Sequence, residues 1–170
     1  MKKKLLLLLL LVANTALSAF AINKKPFTIP EVKQWKGTEG ELALSGRIVC
    51  NGAEERQVAQ QLVDDYRLMF GTTLSVSQGK AKKGDIVLSL KGAKTLGEEG
   101  YTMAITGQVN IAAANRKGLY WGTRTLLQLA EQNEKHALPC GFISDMPDYP
   151  FRGFMLDCGR KFFSMDMLRQ

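Results

Sequence analysis

Tyr101-Thr102-Met103-Ala104-Ile105-Thr106-Gly107-Gln108-Val109-Asn110-Ile111-Ala112-Ala113 is the stretch on which the fold turns. Tyr101, Met103 and Ile105 alternate with smaller or polar residues, and Val109, Ile111 and Ala113 alternate back, the period of strands with one buried face. Between them Gly107-Gln108 fits a two-residue hairpin turn with glycine first. A sheet with one side against a core is predicted here, and the helix that covers it follows at once. From Asn115 to Gln132 the residues Leu119, Thr123, Leu126, Leu127 and Ala130 lie on one helical stripe, and Gly118 and Gly122 sit one turn apart. Each glycine costs a helix interior about 1 kcal/mol relative to alanine, which a close approach to another backbone would explain. Tyr120 and Trp121 are read as core.

Upstream the same logic gives a second helix and more strands. Residues 22–40 show little periodicity and carry Pro26 and Pro30, the texture of an extended lead-in. Leu42, Leu44, Ile48 and Cys50 alternate around Ser45-Gly46 and predict a short strand pair. A helix follows with Asn51 as its cap, Glu54 and Glu55 at the positive end of its dipole, and Val58, Leu62, Tyr66 and Met69 at helical spacing until Gly71. Thr72 to Ser77 and Asp85 to Leu90 read as strands separated by the turn Gly79 to Gly84, the second apolar enough to be central. The fold class predicted is α+β: an antiparallel or mixed sheet with two helices on one face.

The ends of the chain have a different texture. Lys2-Lys3-Lys4 ahead of the apolar run Leu5 to Val12, followed by Ala19-Phe20-Ala21, has the layout of a secretory signal cleaved after Ala21, with Ala16-Leu17-Ser18 as a second cut. Residues 1–21 are therefore expected to be removed, giving an exported protein, periplasmic or extracellular, without stable membrane insertion. Their loss lowers the formal charge from +7 to +4. The remaining lysines are scattered and not interleaved with aromatics, so no nucleic-acid partner is expected. Cys50, Cys140, Cys158 and the one histidine, His136, lack ligand-like spacing, and neither a metal nor another cofactor is expected. Disulfide pairing and oligomeric state stay open.

Residues 142–150 carry Pro147 and Pro150 and read as a linker. Beyond it Phe151-Arg152-Gly153-Phe154-Met155-Leu156-Asp157-Cys158-Gly159-Arg160-Lys161-Phe162 opens as a buried strand interrupted by one arginine. A guanidinium there is costly unless partners meet it, so it is either an edge residue or part of a site.

Two motifs in order, Gly118-Leu119-Tyr120-Trp121-Gly122-Thr123-Arg124-Thr125-Leu126-Leu127-Gln128-Leu129 and Asp145-x-Pro147 with Phe151-Arg152-Gly153-x-Met155-Leu156-Asp157-x-x-Arg160-x-Phe162, resemble the family 20 glycoside hydrolases, the N-acetyl-β-hexosaminidases. The resemblance covers about residues 22–170, with Lys161 and Trp121 as mild departures. It implies residues 22–141 as an amino-terminal α/β domain and 142–170 as linker plus the start of a (β/α)8 barrel. It also implies an N-acetylated glycan substrate and a retaining, substrate-assisted hydrolysis in which an Asp-Glu pair on the fourth barrel strand orients the acetamido group and protonates the leaving oxygen. That pair is absent from these 170 residues, so no catalytic residue is assigned in this chain. Arg152 stands where the family arginine binds adjacent sugar hydroxyls, a task that suits its planar fork of donors. Asp157 and Arg160 lie nearer the strand's carboxyl end, where barrel sites open, yet are read as a structural ion pair. Glu54-Glu55, Asp64-Asp65 and Glu98-Glu99 are read as solvated surface. The rival reading is a stand-alone carbohydrate-binding or interaction module.

Overall fold

A computed structural model of the chain describes residues 22–159 and 161–168. The expected signal over residues 1–21 lies outside the described residues, as does Arg160. Seven strands form one mixed sheet: β1 (Gln34–Leu42), β2 (Arg47–Val49), β3 (Ser75–Ser77), β4 (Ile86–Ser89), β5 (Tyr101–Ile105), β6 (Val109–Ala113) and β7 (Leu138–Asp145), in the spatial order β1-β7-β5-β6-β4-β2-β3. Helices α1 (Ala53–Phe70) and α2 (Arg116–Glu131) pack side by side on one face, and a single turn, α3 (Met165–Leu168), lies near the end.

The hairpin forms as its pattern dictates. Tyr101 pairs with Ala113, Met103 with Ile111 and Ile105 with Val109, so their side chains share the helix-facing side and are almost wholly buried. Three residues, Thr106 to Gln108, make the connection in place of the expected two, since Ile105 and Val109 are directly opposed. β4 lies between β6 and β2 and is parallel to both, with Ile86 and Leu88 in the core. That central place matches its unbroken apolar run.

α2 begins at Asn115, whose side chain accepts from the Lys117 backbone N–H at 3.0 Å. Gly118 and Gly122 are where the helix touches the hairpin. A Cβ on Gly118 would stand 2.3 Å from the Gly100 carbonyl oxygen, and one on Gly122 would stand 2.4 Å from Ile111 Cγ2. The close-approach expectation thus holds, against backbone at Gly118 and against a side chain at Gly122. α1 ends at Gly71, whose left-handed backbone lets its N–H return to the Arg67 carbonyl at 2.9 Å.

Several local expectations are corrected. Gln34–Leu42 is an edge strand antiparallel to β7, although residues 34–40 read as lead-in; their polar alternation hid them because only one side is covered. β1 and β2 do not pair with each other: they lie on opposite sides of the sheet, joined by the Ser45-Gly46 turn. The cap position of α1 falls to Gly52, and Asn51 instead accepts from the Gly79 N–H. Met69 is exposed on α1. β7 runs on to Asp145, so residues 142–145 are sheet and not linker: Phe142, Ile143 and Ser144 are hydrogen-bonded between β1 and β5.

The buried barrel strand expected over Phe151–Leu156 is not seen. Residues 151–159 form no strand, and Phe151, Phe154 and Met155 are exposed. A barrel strand takes its hydrogen bonds from neighbours on both sides, and among the described residues no such neighbours stand beside these. Asp157 is exposed and accepts from the Gly159 N–H at 2.7 Å; its expected partner Arg160 lies outside the described residues.

Candidate functional site

Arg152 leaves the linker and folds back onto the outer side of α2. One terminal nitrogen pairs with Glu99 Oε2, the other donates to the Tyr149 carbonyl, and the guanidinium carbon lies 5.7 Å from the centre of the Trp121 ring. Trp121 Nε1 donates to the same Glu99 oxygen at 3.2 Å. The Arg152 hydrogen bond, helped by Trp121, holds the Glu99 carboxyl below the usual carboxylate range. Glu99 is therefore ionised and already neutralised, and has no proton to give a leaving group.

A cavity of about 400 Å³ opens beside this cluster, bounded by Trp121, Arg124, Gln128, Asp145, Tyr149 and Pro30. Its floor is rigid. The Tyr101 hydroxyl lies 2.6 Å from Thr125 Oγ1 and donates to Asp145 Oδ2 at 3.2 Å, joining β5, α2 and β7. Burial raises the Tyr101 phenol well above its ordinary range, so it remains protonated. Arg124, which also borders the cavity, pairs with Asp65 on α1 at 2.5 Å and lies over the Tyr120 ring at 4.5 Å.

The sequence expectations fare unevenly here. Arg152 is placed against Trp121 and Glu99, two residues read as core and as solvated surface. Trp121 is 40% exposed. At 3.6 residues per turn it stands about 200° around the helix from Leu119, off the stripe that packs on the sheet, so its exposure was readable from the periodicity. Glu99 offered no such signal, because it lies in an irregular loop. Of the other carboxylates, Glu54 and Glu55 occupy the first turn of α1, and Asp65 is held by Arg124. Among the described residues no group of three or more His, Cys, Asp and Glu side chains is placed to hold a metal. Cys50 and Cys140 are buried and Cys158 is exposed, all three as free thiols.

A seven-stranded mixed sheet roofed on one side by two helices, leading at its last strand into an Arg-Gly segment, is an architecture shared with solved family 20 glycoside hydrolases. The chain belongs to glycosyl hydrolase family 20: residues 25–146 match the family model for its domain 2. It is 32% identical over 133 residues to a beta-hexosaminidase of Porphyromonas gingivalis, covering 72% of this chain and 17% of that protein. It is 38% identical over 79 residues to a beta-hexosaminidase of Akkermansia muciniphila, covering 45% of this chain and 16% of that protein. The family 20 beta-N-acetylhexosaminidase of Streptomyces coelicolor superposes with a TM-score of 0.68 at 30% identity, over 81% of this chain and 30% of that one. An exo beta-N-acetylglucosaminidase of Vibrio harveyi has the same fold, with a TM-score of 0.72 at 23% identity over 90% and 24% of the two chains. The chain thus spans about a sixth of the length of the curated relatives it matches.

Proposed function

We propose that these residues are the amino-terminal part of an exported β-N-acetylhexosaminidase that removes terminal N-acetyl-hexosamine from glycans by a retaining, substrate-assisted mechanism. The observation that carries this reading is the family 20 match over residues 25–146 followed directly by the Arg152-Gly153 segment. Residues 22–145 serve as the accessory domain, residues 146–150 as the linker, and Arg152 grips two neighbouring hydroxyls of the N-acetylated ring. Export rests on the lysine-led apolar run of residues 1–21. Among the described residues no helix is long and apolar enough to cross a membrane.

Arg152 holds Glu99 in the present structure, yet that contact does not bar it from a sugar site. The arginine side chain is 42% exposed, and an ion pair so open to solvent is worth about 0–1 kcal/mol. Hydrogen bonds from a charged donor to sugar hydroxyls inside a closed site are worth about 1.5–3 kcal/mol each. Two of them outweigh the Glu99 pair. Phe151, Phe154 and Met155, exposed here, become the buried faces of the barrel strand on this reading. Taken alone, the 170 residues lack the proton-donating pair and have no turnover.

The test is a chimera in which residues 1–170 run in frame into the remaining barrel of the Porphyromonas gingivalis relative. It is expected to hydrolyse a chromogenic N-acetyl-β-glucosaminide, and Arg152→Ala is expected to lower kcat/KM by about 10²-fold or more, the loss of two charged hydrogen bonds. A chimera that hydrolyses the substrate equally well with alanine at 152 contradicts the assignment of Arg152.

A further inference from the structure

The side of the sheet away from the helices carries a shallow trough of about 510 Å³ whose lining is unlike ordinary solvated sheet. Strand register sets two parallel rows across it. One is Lys36, Phe142, Ala104 and Asn110; the next, two residues along, is Gln34, Ser144, Thr102 and Ala112. Alternation sends the large partners Met103, Ile105, Ile111 and Ile143 to the core, so this face keeps small residues and one large ring. Ala104, Ala112 and Thr102 form the floor, and the Phe142 ring stands at its middle, 44% exposed.

Around that ring the polar groups are uncharged, apart from Lys36. Gln34, Asn110, Thr102 and Ser144 supply amides and hydroxyls that both donate and accept. Gln108 Nε2 donates to Asn110 Oδ1 at 2.9 Å, which fixes the Asn110 amide and leaves its NH₂ group to point elsewhere. No carboxylate lines the trough. A cation has nothing to bind there, and a single lysine is a poor anion site. A pyranose ring fits both features at once: its C–H face packs on an aromatic ring while its hydroxyls meet neutral donors and acceptors. The small floor leaves room for an acetamido methyl.

We propose that this face is a second, non-catalytic binding surface for a neutral oligosaccharide of N-acetylglucosamine, with Phe142 as the stacking ring and Asn110, Gln34 and Thr102 as hydroxyl partners. The preference for N-acetylated sugar rests on the function proposed above; the surface itself rests on the trough. It lies across the sheet from α2, Trp121 and Arg152, so it holds a part of a glycan other than the unit being cleaved. The surface tethers a polymer to the enzyme; it takes no part in the reaction.

The experiment is a titration of the ¹⁵N-labelled 170-residue chain with N-acetylglucosamine tetramer, followed by amide chemical shifts. Saturable shifts are expected at Thr102, Ala104, Asn110, Ala112, Phe142 and Ser144 at millimolar sugar or below. Phe142→Ala is expected to weaken binding about tenfold or more. Ala104→Gln keeps the ring but fills the floor, and is expected to abolish the shifts, while Trp121→Ala on the other face leaves them intact. Absence of shifts, or shifts confined to Trp121, Tyr149 and Arg152, overturns the proposal and leaves the hexosaminidase reading standing. Binding at the trough combined with an inactive chimera has the opposite meaning: the surface stands and the hydrolase assignment fails.

Discussion

Gly118→Ala tests whether α2 is held against the hairpin by backbone contact. In an exposed helix interior the substitution stabilises by about 1 kcal/mol, because alanine loses less conformational freedom on folding. At this position the new Cβ would stand 2.3 Å from the Gly100 carbonyl oxygen and 3.1 Å from Ala113 Cβ. The first is backbone and cannot swing aside. The helix must back away from the hairpin by roughly an ångström, loosening the contacts of Leu119 and Gly122 with the sheet; overpacking of this kind costs typically about 1–3 kcal/mol, occasionally more. A clash with main chain belongs at the upper end, so the net expectation is a loss of about 2 kcal/mol. Urea unfolding followed by circular dichroism reads it directly. With a slope of about 1–2 kcal/mol per molar, usual for a small domain, the midpoint falls by about 1–2 M with the slope unchanged. A midpoint that rises would show that helix propensity governs Gly118 and that the close approach is not real.

The buried ion pair at Asp85 makes stability acid-dependent. Asp85 is 1% exposed and accepts from Arg47, from Ser45 Oγ at 2.7 Å and from the Lys82 N–H at 2.6 Å, and the Arg47 bond above all draws its carboxyl from 3.8 to about 2. A depressed carboxylate stabilises the fold fully above its unfolded value and loses that contribution as pH falls through its folded value. About 2 kcal/mol should therefore vanish between about pH 4 and pH 2; Asp85→Asn should remove that part of the acid dependence, as urea midpoints across this range would register. Arg152→Ala should leave the unfolding free energy of the 170-residue chain within about 1 kcal/mol of the parent, because its pair with Glu99 is partly exposed to solvent. Limited proteolysis should cut first between residues 147 and 163, where no strand protects the backbone of the described residues, and a trimmed product ending near Met146 should persist. Equal resistance of both regions would contradict the division drawn here.

How far the sequence carried the structure depends on what each residue faces. Two-sided contrast made β5 and β6 legible: Tyr101, Met103 and Ile105 meet helices, and Thr102 and Ala104 meet solvent. Helices α1 and α2 were legible from their stripes for the same reason. β1 was not, because at a sheet edge its Gln34, Lys36 and Glu39 serve as well in water as in a loop, and only pairing with β7 makes it a strand. Strand order was also hidden. β2, β3 and β4 are parallel neighbours, and local alternation says nothing about which strand a chain returns to beside another. At the candidate site Arg152 stood out as a charge in an apolar run, whereas Glu99 is identified only by the fold, which carries the loop before β5 up to Trp121. The Phe142 trough was invisible for a different reason: residues 142–150 had the prolines of a linker, and the ring acquires its setting only through register with Ala104.

On the proposed function, these residues supply an accessory domain and a sugar-gripping arginine but no proton donor. The most direct measurement is hydrolysis of a chromogenic N-acetyl-β-glucosaminide by the purified 170-residue protein. No release above buffer is expected at any substrate concentration. Release that saturates with substrate would place a working acid among carboxylates that are here either solvated or, like Glu99, already neutralised, and would contradict the claim.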